Sequence, residues 1–405
     1  MKKTELNRRD FVGLAAALGT AAGTGLATPI TSTATAQGSA SEVPRKKLGS
    51  TGVDVPILGM GGSQKFDPKY DRRLHRAVAM GINYFDNSEN YSNGQSQRTQ
   101  ATFFEQVGDR KKVWITSKVS HKTSPAKGQA PPEHFKKNLE QVLKDLRTDY
   151  LDLFFMHGID SERFLEPEFI KMSEELKRAK KINFFGFSCH AGNLPAILTK
   201  AARVGGIDAV MFRYNFRAYG DGELNRAVDA AKEAGIGLIA MKTMGSVPDD
   251  DEELVKFRSE NLSLPQAKLK AIWEDVRIDS CCSEMENVQM VMENAAAAMN
   301  PTPLAMNEFI QLNRLAAHTA PSYCQGCRHI CEHRINGDVN VADTLRYLMY
   351  HESYSDPRKG REGYQKLSKL EREFDGIDFT RASRACPQGI DIANRLAHAK
   401  RLLSS

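Results

Sequence analysis

A phenol, an ammonium, a carboxylate and an imidazole brought together can protonate a carbonyl as it is reduced. Asp86, Tyr91, Lys118 and His157 offer such a set. Tyr91 is the proton donor in this reading. An unperturbed phenol titrates near pH ~10, too weak an acid to give up its proton readily at neutral pH. A neighbouring lysine ammonium is expected to lower that value, a buried carboxylate to hold the lysine, and a neutral histidine to share the proton or orient the carbonyl oxygen. The local contexts are Y-F-D-N-S-E-N-Y at 84–91, W-I-T-S-K at 114–118 and L-F-F-M-H at 153–157. Each places its polar residue at or just beyond the end of an apolar, strand-like run, where a (β/α)8 barrel presents its chemistry. Taken singly, His157 would pass for a core histidine and Lys118 for a surface charge. Four such residues in order point to a site.

The elements that must carry them alternate. Strand-like runs fall at Val55–Leu58, Ile82–Phe85, Val113–Thr116, Leu151–Phe155, Asn183–Phe187, Ala209–Phe212, Gly237–Met241 and Ile278–Cys282. Helix-period segments lie between them, among them Asp71–Met80, Glu133–Leu146, Glu168–Ala179, Leu194–Arg203 and Leu224–Ala234, with Leu264–Trp273 and Val288–Ala298 as the last two. Eight strands so separated predict a closed parallel (β/α)8 TIM barrel over residues 37–298. The acidic run Asp249–Glu253 reads as a solvated loop. Residues 299–405 read as a small, mostly helical C-terminal domain built around cysteines, in which 338–351 has helical spacing and packs a cysteine loop onto the barrel.

Over roughly residues 46–298 these motifs resemble the aldo-keto reductases. The resemblance implies that Asp86, Tyr91, Lys118 and His157 form a catalytic tetrad with an intact D-x4-Y spacing. It also implies a nicotinamide nucleotide, NAD(P)(H), touched by Ser188, Met211, Lys242, Met244, Ser283 and Asn294. Ser188 stands in Gly186-Phe187-Ser188, where the family supports the nicotinamide amide. Met211 stands where the family has a glutamine, so one amide contact is missing. Met241-Lys242-Thr243-Met244-Gly245 resembles the cofactor-facing turn, and Asn294 matches the adenine contact. Ser283 would cap the last barrel helix and touch a phosphate. Glu284 and Glu286 would repel a 2′-phosphate, which leaves open a barrel that binds no nicotinamide.

A second constellation is Cys324-x2-Cys327-x3-Cys331 with a remote Cys386-Pro387. Three thiolates from one loop and a fourth from a distant Cys-Pro suit one [4Fe–4S] cluster. The tail resembles the ferredoxin-like extension of some aldo-keto reductases. Zinc held by three cysteines and His329 or His333, or disulfides, are the alternatives. Cys189, Cys281 and Cys282 remain outside the set and read as small core residues.

Residues 1–36 read as a targeting segment. Arg8-Arg9-Asp10-Phe11 precedes a mildly apolar run and an Ala34-Thr35-Ala36 site, which resembles a twin-arginine (Tat) export signal and predicts a periplasmic protein handled by the Tat translocase. The whole chain of 405 residues carries a formal charge of +6. The leader holds a net +2, so residues 37–405 are left near +4, with no basic stripe interleaved with aromatics of the kind nucleic acid demands. The resulting expectation is an exported oxidoreductase acting on a small carbonyl or sugar-like substrate, with Tyr91 as acid or base, the cluster as electron carrier and a further redox partner. The alternative is an inactive barrel used for binding, with a structural metal site.

Overall fold

Side chains alternate inward and outward along the strands, and the two sets build two different cores. The computed structural model describes residues 41–121, 130–253, 255–354 and 356–404. The leader at 1–36 therefore lies outside the described residues. An antiparallel hairpin, β1 (Arg45–Lys47) and β2 (Asp54–Pro56), precedes eight parallel strands: β3 (Leu58–Met60), β4 (Tyr84–Asp86), β5 (Trp114–Ser120), β6 (Leu151–His157), β7 (Ile182–Cys189), β8 (Ala209–Arg213), β9 (Gly237–Met241) and β10 (Ser280–Ser283). These close in the order β10-β3-β4-β5-β6-β7-β8-β9.

The run Val55–Leu58, read from sequence as one strand, is two. Residues 54–56 pair back on β1, and the first barrel strand begins at Leu58. The hairpin stoppers the N-terminal end of the barrel: Leu48 and Val55 join Tyr84, Trp114, Leu153, Phe155, Met211 and Ile239 in the interior. Gly49 (φ +50) permits this, because a Cβ there would lie 2.3 Å from the Gly237 nitrogen.

The outward set, including Phe85, Ile115, Phe154, Phe185, Val210 and Leu238, packs under the helices. Leu264–Trp273 forms over the residues the periodicity gives, and Asp71 caps helix Arg72–Ala79 through the Arg73 N–H. Helix Gln95–Val107 has no counterpart among the helices read from sequence, because its buried face carries Ser96, Gln97, Thr99 and Gln100. Asp249–Glu253, expected as loop, is a short helix. The last barrel helix, Val288–Met299, is capped by Asn287 and not by Ser283, since the Asn287 side chain accepts from the Met290 N–H.

The C-terminal segment has its own apolar core, with Val341, Leu345, Leu348, Tyr364, Phe379, Ile392 and Leu396 among its members. Its helices include Met306–His318, Val341–Ser353, Pro357–Gln365 and Ile392–Leu403. Among the described residues no helix is long and apolar enough to cross a membrane.

Candidate active site at the C-terminal end of the barrel

Asp86 ends β4, Lys118 lies near the end of β5, and His157 ends β6. Tyr91 opens a 3-10 turn, Tyr91–Gly94, after β4. The Lys118 ammonium sits 2.5 Å from each Asp86 oxygen, donates to the Asn87 carbonyl at 2.8 Å, and lies 3.4 Å from the Tyr91 hydroxyl. Asp86 and Lys118 are both buried. The His157 ring meets Tyr91 edge-on at 5.6 Å, and its Nδ1 is 2.8 Å from the Ser88 hydroxyl. The sequence-derived tetrad thus converges at one end of the barrel.

One expectation changes. The ammonium was expected to lower the Tyr91 pKa, but that pKa stands well above the ordinary phenol value. Burial is the first cause, followed by the charges of Asp86, Cys282, Glu284 and Tyr350. Lys118 is closest to the carboxylate, so Asp86 absorbs most of its field. Burial likewise raises the Asp86 carboxyl against the opposing pull of Lys118. His157 is pushed well below its usual value by burial and then by the charges of Lys118, His121 and Lys242, so its ring is neutral at physiological pH. Ser92 and Asn93, directly after Tyr91, hold left-handed backbone at φ +49 and +54. Such strain in non-glycine residues is typical of functional turns.

The residues assigned to a nucleotide come from β7 to β10 and the helix after them. Ser188 is buried, and its hydroxyl accepts from the Gly158 N–H at 2.8 Å. Ser283 and Asn294 are buried neighbours, 3.4 Å apart. Met244 is half-buried against the outer core. Met211 packs inside the barrel with Leu153, Phe155 and Ile239, one layer below the mouth. Arg213, two residues further along the same strand, is the half-buried side chain at that strand's end. Lys242, at φ +58, lies 3.2 Å from the Tyr350 hydroxyl of the C-terminal segment.

A family model described as "Aldo/keto reductase family" matches residues 58–305, the barrel that carries this set. The chain belongs to the aldo/keto reductase family. It is accordingly an oxidoreductase. Among relatives, an aldo-keto reductase of Schizosaccharomyces pombe labelled for NADP(+) is 28% identical over 188 residues, covering 43% of this chain and 52% of its own length. The uncharacterized oxidoreductase YqkF of Bacillus subtilis is 23% identical over 312 residues, covering 68% and 96%. Among solved structures, the holo form of a Bacillus halodurans aldo-keto reductase is 21% identical with a TM-score of 0.56, covering 68% of this chain and 96% of that one. A Klebsiella pneumoniae aldo-keto reductase in complex with NADPH is 20% identical with a TM-score of 0.52, covering 67% and 95%. These two establish likeness of fold.

The cysteine-bearing segment of this aldo/keto reductase lies beyond the matched residues. Cys324, Cys327, Cys331 and Cys386 line one pocket, walled by Ile330, Val341, Leu345 and Ile390. All seven cysteines are unpaired. Burial pushes the Cys324 thiol up to about 11 and Cys331 to about 12, and in both the neighbouring thiols add to the rise. The Gly326 N–H points at the Cys324 sulfur at 3.4 Å. Among the described residues no three His, Cys, Asp or Glu side chains are grouped tightly enough to hold a metal ion. His329 and His333, the alternative zinc ligands, line a neighbouring hollow with Asp160, His190 and Arg346.

The cysteine loop is seated on the barrel mouth. The Gly192 N–H donates to the Gly326 carbonyl at 3.1 Å, and a Cβ at Gly192 would fall 2.2 Å from the Cys327 Cα. Arg213 donates to the Gln325 carbonyl. The sequence reading missed Ser88, Asn87, Arg213, Cys282, Tyr350 and Lys359. Ser88 and Asn87 were within the quoted motif. Arg213 and Cys282 were within reach of strand parity, which turns them inward with Met211 and Ser280. Of the remaining cysteines, Cys189 and Cys281 are outer-core residues, as read. Cys282 instead packs against the barrel interior, where its thiol helps hold the Asp86 carboxyl down.

Proposed function

We propose that this aldo/keto reductase interconverts a carbonyl and an alcohol on a small carbonyl or sugar-like substrate, with Tyr91 as the proton donor. The observation that carries the reading is the Asp86–Lys118–Tyr91 chain, 2.5 Å and 3.4 Å between successive polar atoms, beside a neutral His157. Asp86 fixes the ammonium. The ammonium orients the phenol and stabilises the negative charge left when the proton departs. Ser88 engages Nδ1 of His157, which leaves Nε2 as the nitrogen for a substrate oxygen. Because the Tyr91 pKa is raised, the phenol is fully protonated at neutral pH. Burial also makes that phenol a weaker acid than a free one, so its proton leaves only as negative charge builds on the carbonyl oxygen.

Bound NAD(P)H would supply hydride. Ser188, Lys242, Ser283 and Asn294 form the polar arc that would hold it, with Met211 beneath the mouth and Met244 at its edge. Four cysteines lining one pocket support the reading of a [4Fe–4S] cluster there. Buried thiols that repel one another as thiolates are relieved by a polyvalent iron core, and a cube spreads its ligands more widely than a single ion does. Cys324, Cys327, Cys331 and Cys386 would hold that cluster, which would exchange single electrons with a redox partner. Residues 1–36 would carry the folded protein to the periplasm through the Tat translocase.

A barrel that binds without turnover is the second reading, favoured by Tyr350 and Tyr354 lying against Lys242 in the nucleotide arc. Tyr91→Phe separates the two. The substitution keeps the ring and removes the donor, so turnover of aldehydes, ketones and aldoses should fall by ~10²–10⁴-fold. Nucleotide released on denaturation should be unchanged. An undiminished rate in this variant would refute the role of Tyr91.

A further inference from the structure

Ser88 touches both of the groups that would face a substrate oxygen. Its carbonyl accepts from the Tyr91 N–H at 3.2 Å, and its hydroxyl lies 2.8 Å from Nδ1 of His157. The residue is wholly buried, and the chain before it is held from behind. The Asn87 side chain donates to Gln100 at 2.7 Å and accepts from the Ser96 hydroxyl at 3.1 Å, both on helix Gln95–Val107. The Asn87 N–H donates to the Thr116 carbonyl at 2.8 Å, and its own carbonyl takes the Lys118 ammonium at 2.8 Å. Gly62 closes another side, where a Cβ would fall 2.1 Å from the Asp86 carbonyl oxygen and 3.1 Å from the Asn87 side chain. The polar buried face of that helix thus fixes the chain at Asn87, and with it the place of Ser88 beside the His157 ring.

A neutral imidazole carries a single N–H, so the partner at one nitrogen decides what the other can do. Nδ1 of a working histidine commonly meets a carboxylate or a carbonyl. Such groups only accept, so the proton stays on Nδ1 and Nε2 is left as a base or ligand. His121 follows that pattern, since its Nδ1 lies 3.0 Å from the His157 carbonyl oxygen and must carry a proton there. His157 faces a hydroxyl instead, which is able to donate. Three acceptors surround that hydroxyl: Nδ1 of His157 at 2.8 Å, the Asn90 amide at 2.9 Å and the Lys118 carbonyl at 3.3 Å. The Lys118 carbonyl already receives the Glu89 N–H at 3.1 Å. Asn90 is exposed, so water serves its oxygen, and its NH2 end is free to turn toward Ser88. The imidazole nitrogen is the most basic of the three and the nearest.

We propose that Ser88 is a positioning residue whose hydroxyl donates to Nδ1 of His157, which fixes the ring as its Nε2–H form and makes His157 a hydrogen-bond donor to the substrate oxygen and not a base. The proposal rests on the reductase reading above. Two donors, the Tyr91 O–H and the His157 N–H, then converge on one oxygen as it gains negative charge. As the carbonyl carbon takes hydride from the reduced cofactor, the Tyr91 O–H bond breaks and the alcohol O–H forms. The His157 N–H bond stays intact throughout, so this residue orients the oxygen without sharing the proton.

Nitrogen NMR of histidine-labelled protein, free of substrate, reads the tautomer directly. The chain has 10 histidines, and His157 is assigned by the signals lost in His157→Gln. At a pH well above the free imidazole value of ~6.5, Nε2 should carry the proton and Nδ1 should show the shift of a lone pair that accepts a hydrogen bond. A proton on Nδ1 overturns the proposal whether or not the enzyme turns over, so its failure is distinct from failure of the reductase reading. Ser88→Ala should move the Nδ1 signal and lower kcat roughly tenfold, the worth of one hydrogen bond, with KM little changed. Ser88→Thr, which keeps the hydroxyl, should restore both. A folded Ser88→Ala protein with the wild-type Nδ1 signal, or with the wild-type kcat, overturns the proposal as well. Should Ser88→Ala not fold, the wild-type tautomer decides alone.

Discussion

Lys118→Met tests the tetrad as a unit of stability before any question of turnover. Methionine keeps the length and apolar stem of the side chain but deletes the ammonium, leaving Asp86 buried beside a thioether. The side chains of Lys118 and Asp86 are 1% and 4% exposed, with contacts at 2.5 Å. Removing one partner of a buried pair of this kind costs roughly 3–5 kcal/mol, more than a ~100-fold fall in the folding equilibrium constant. The pH dependence carries a sign. The Asp86 carboxyl is already raised with Lys118 present, and it will rise further without it. A carboxyl whose folded pKa exceeds its unfolded value of ~3.9 gives stability that is complete below that value and lost as pH rises through the folded one. The penalty should therefore be full at pH ~8 and shrink toward pH ~5, as the carboxyl protonates. Adding Asp86→Leu should recover most of the loss. Urea unfolding of the single and double variants at both pH values measures all three effects. A single variant as stable as wild type at pH ~8, or a penalty that does not change with pH, would refute the buried-pair argument.

Two further outcomes concern the proposals that lie outside the barrel. Anaerobically purified protein should contain iron and sulfide with broad visible absorption, and Cys386→Ser should lose most of both. Full iron content in that variant would remove Cys386 as a ligand, and zinc without iron would decide for a structural site. Arg8→Lys with Arg9→Lys should leave the precursor in the cytoplasm on fractionation, and unchanged export of the double variant would sink the twin-arginine reading.

The barrel was legible because its strands are apolar runs of the right length, separated by helices whose buried faces follow a 3.6-residue period. It failed where burial is not apolar. Helix Gln95–Val107 turns Ser96, Gln97, Thr99 and Gln100 inward before the apolar Ala101, Phe103 and Phe104, so its hydrophobic stripe is confined to the second half. The hairpin failed for the opposite reason: Val-Pro-Ile-Leu at 55–58 reads as one apolar run, and the one local mark between β2 and β3 is Pro56, where β2 ends. The four tetrad residues lie within short motifs and were readable. Tyr350 was not. Its helix was read from Val341, Leu345 and Leu348, the face that builds the extension's own core, and only the tertiary fold brings the other face to Lys242. The raised Tyr91 pKa was beyond sequence too, since it depends on whether the lysine's charge meets the carboxylate or the phenol first.

The pairing of β3 with β10 also imposes an order on synthesis. Leu58 meets Cys281 across the seam, so the cylinder cannot shut until the chain has been made almost to residue 283. The helix bearing Tyr350 follows about 60 residues later. Chains fold from the N-terminus as they emerge, and the barrel has a core of its own to fold around. A nascent chain therefore passes through a stage with a finished cylinder and an uncovered mouth. Any resident nucleotide can enter during that interval without displacing Tyr350 or Tyr354. On the nucleotide reading proposed above, loading would then precede the seating of Tyr350 and Tyr354 against Lys242.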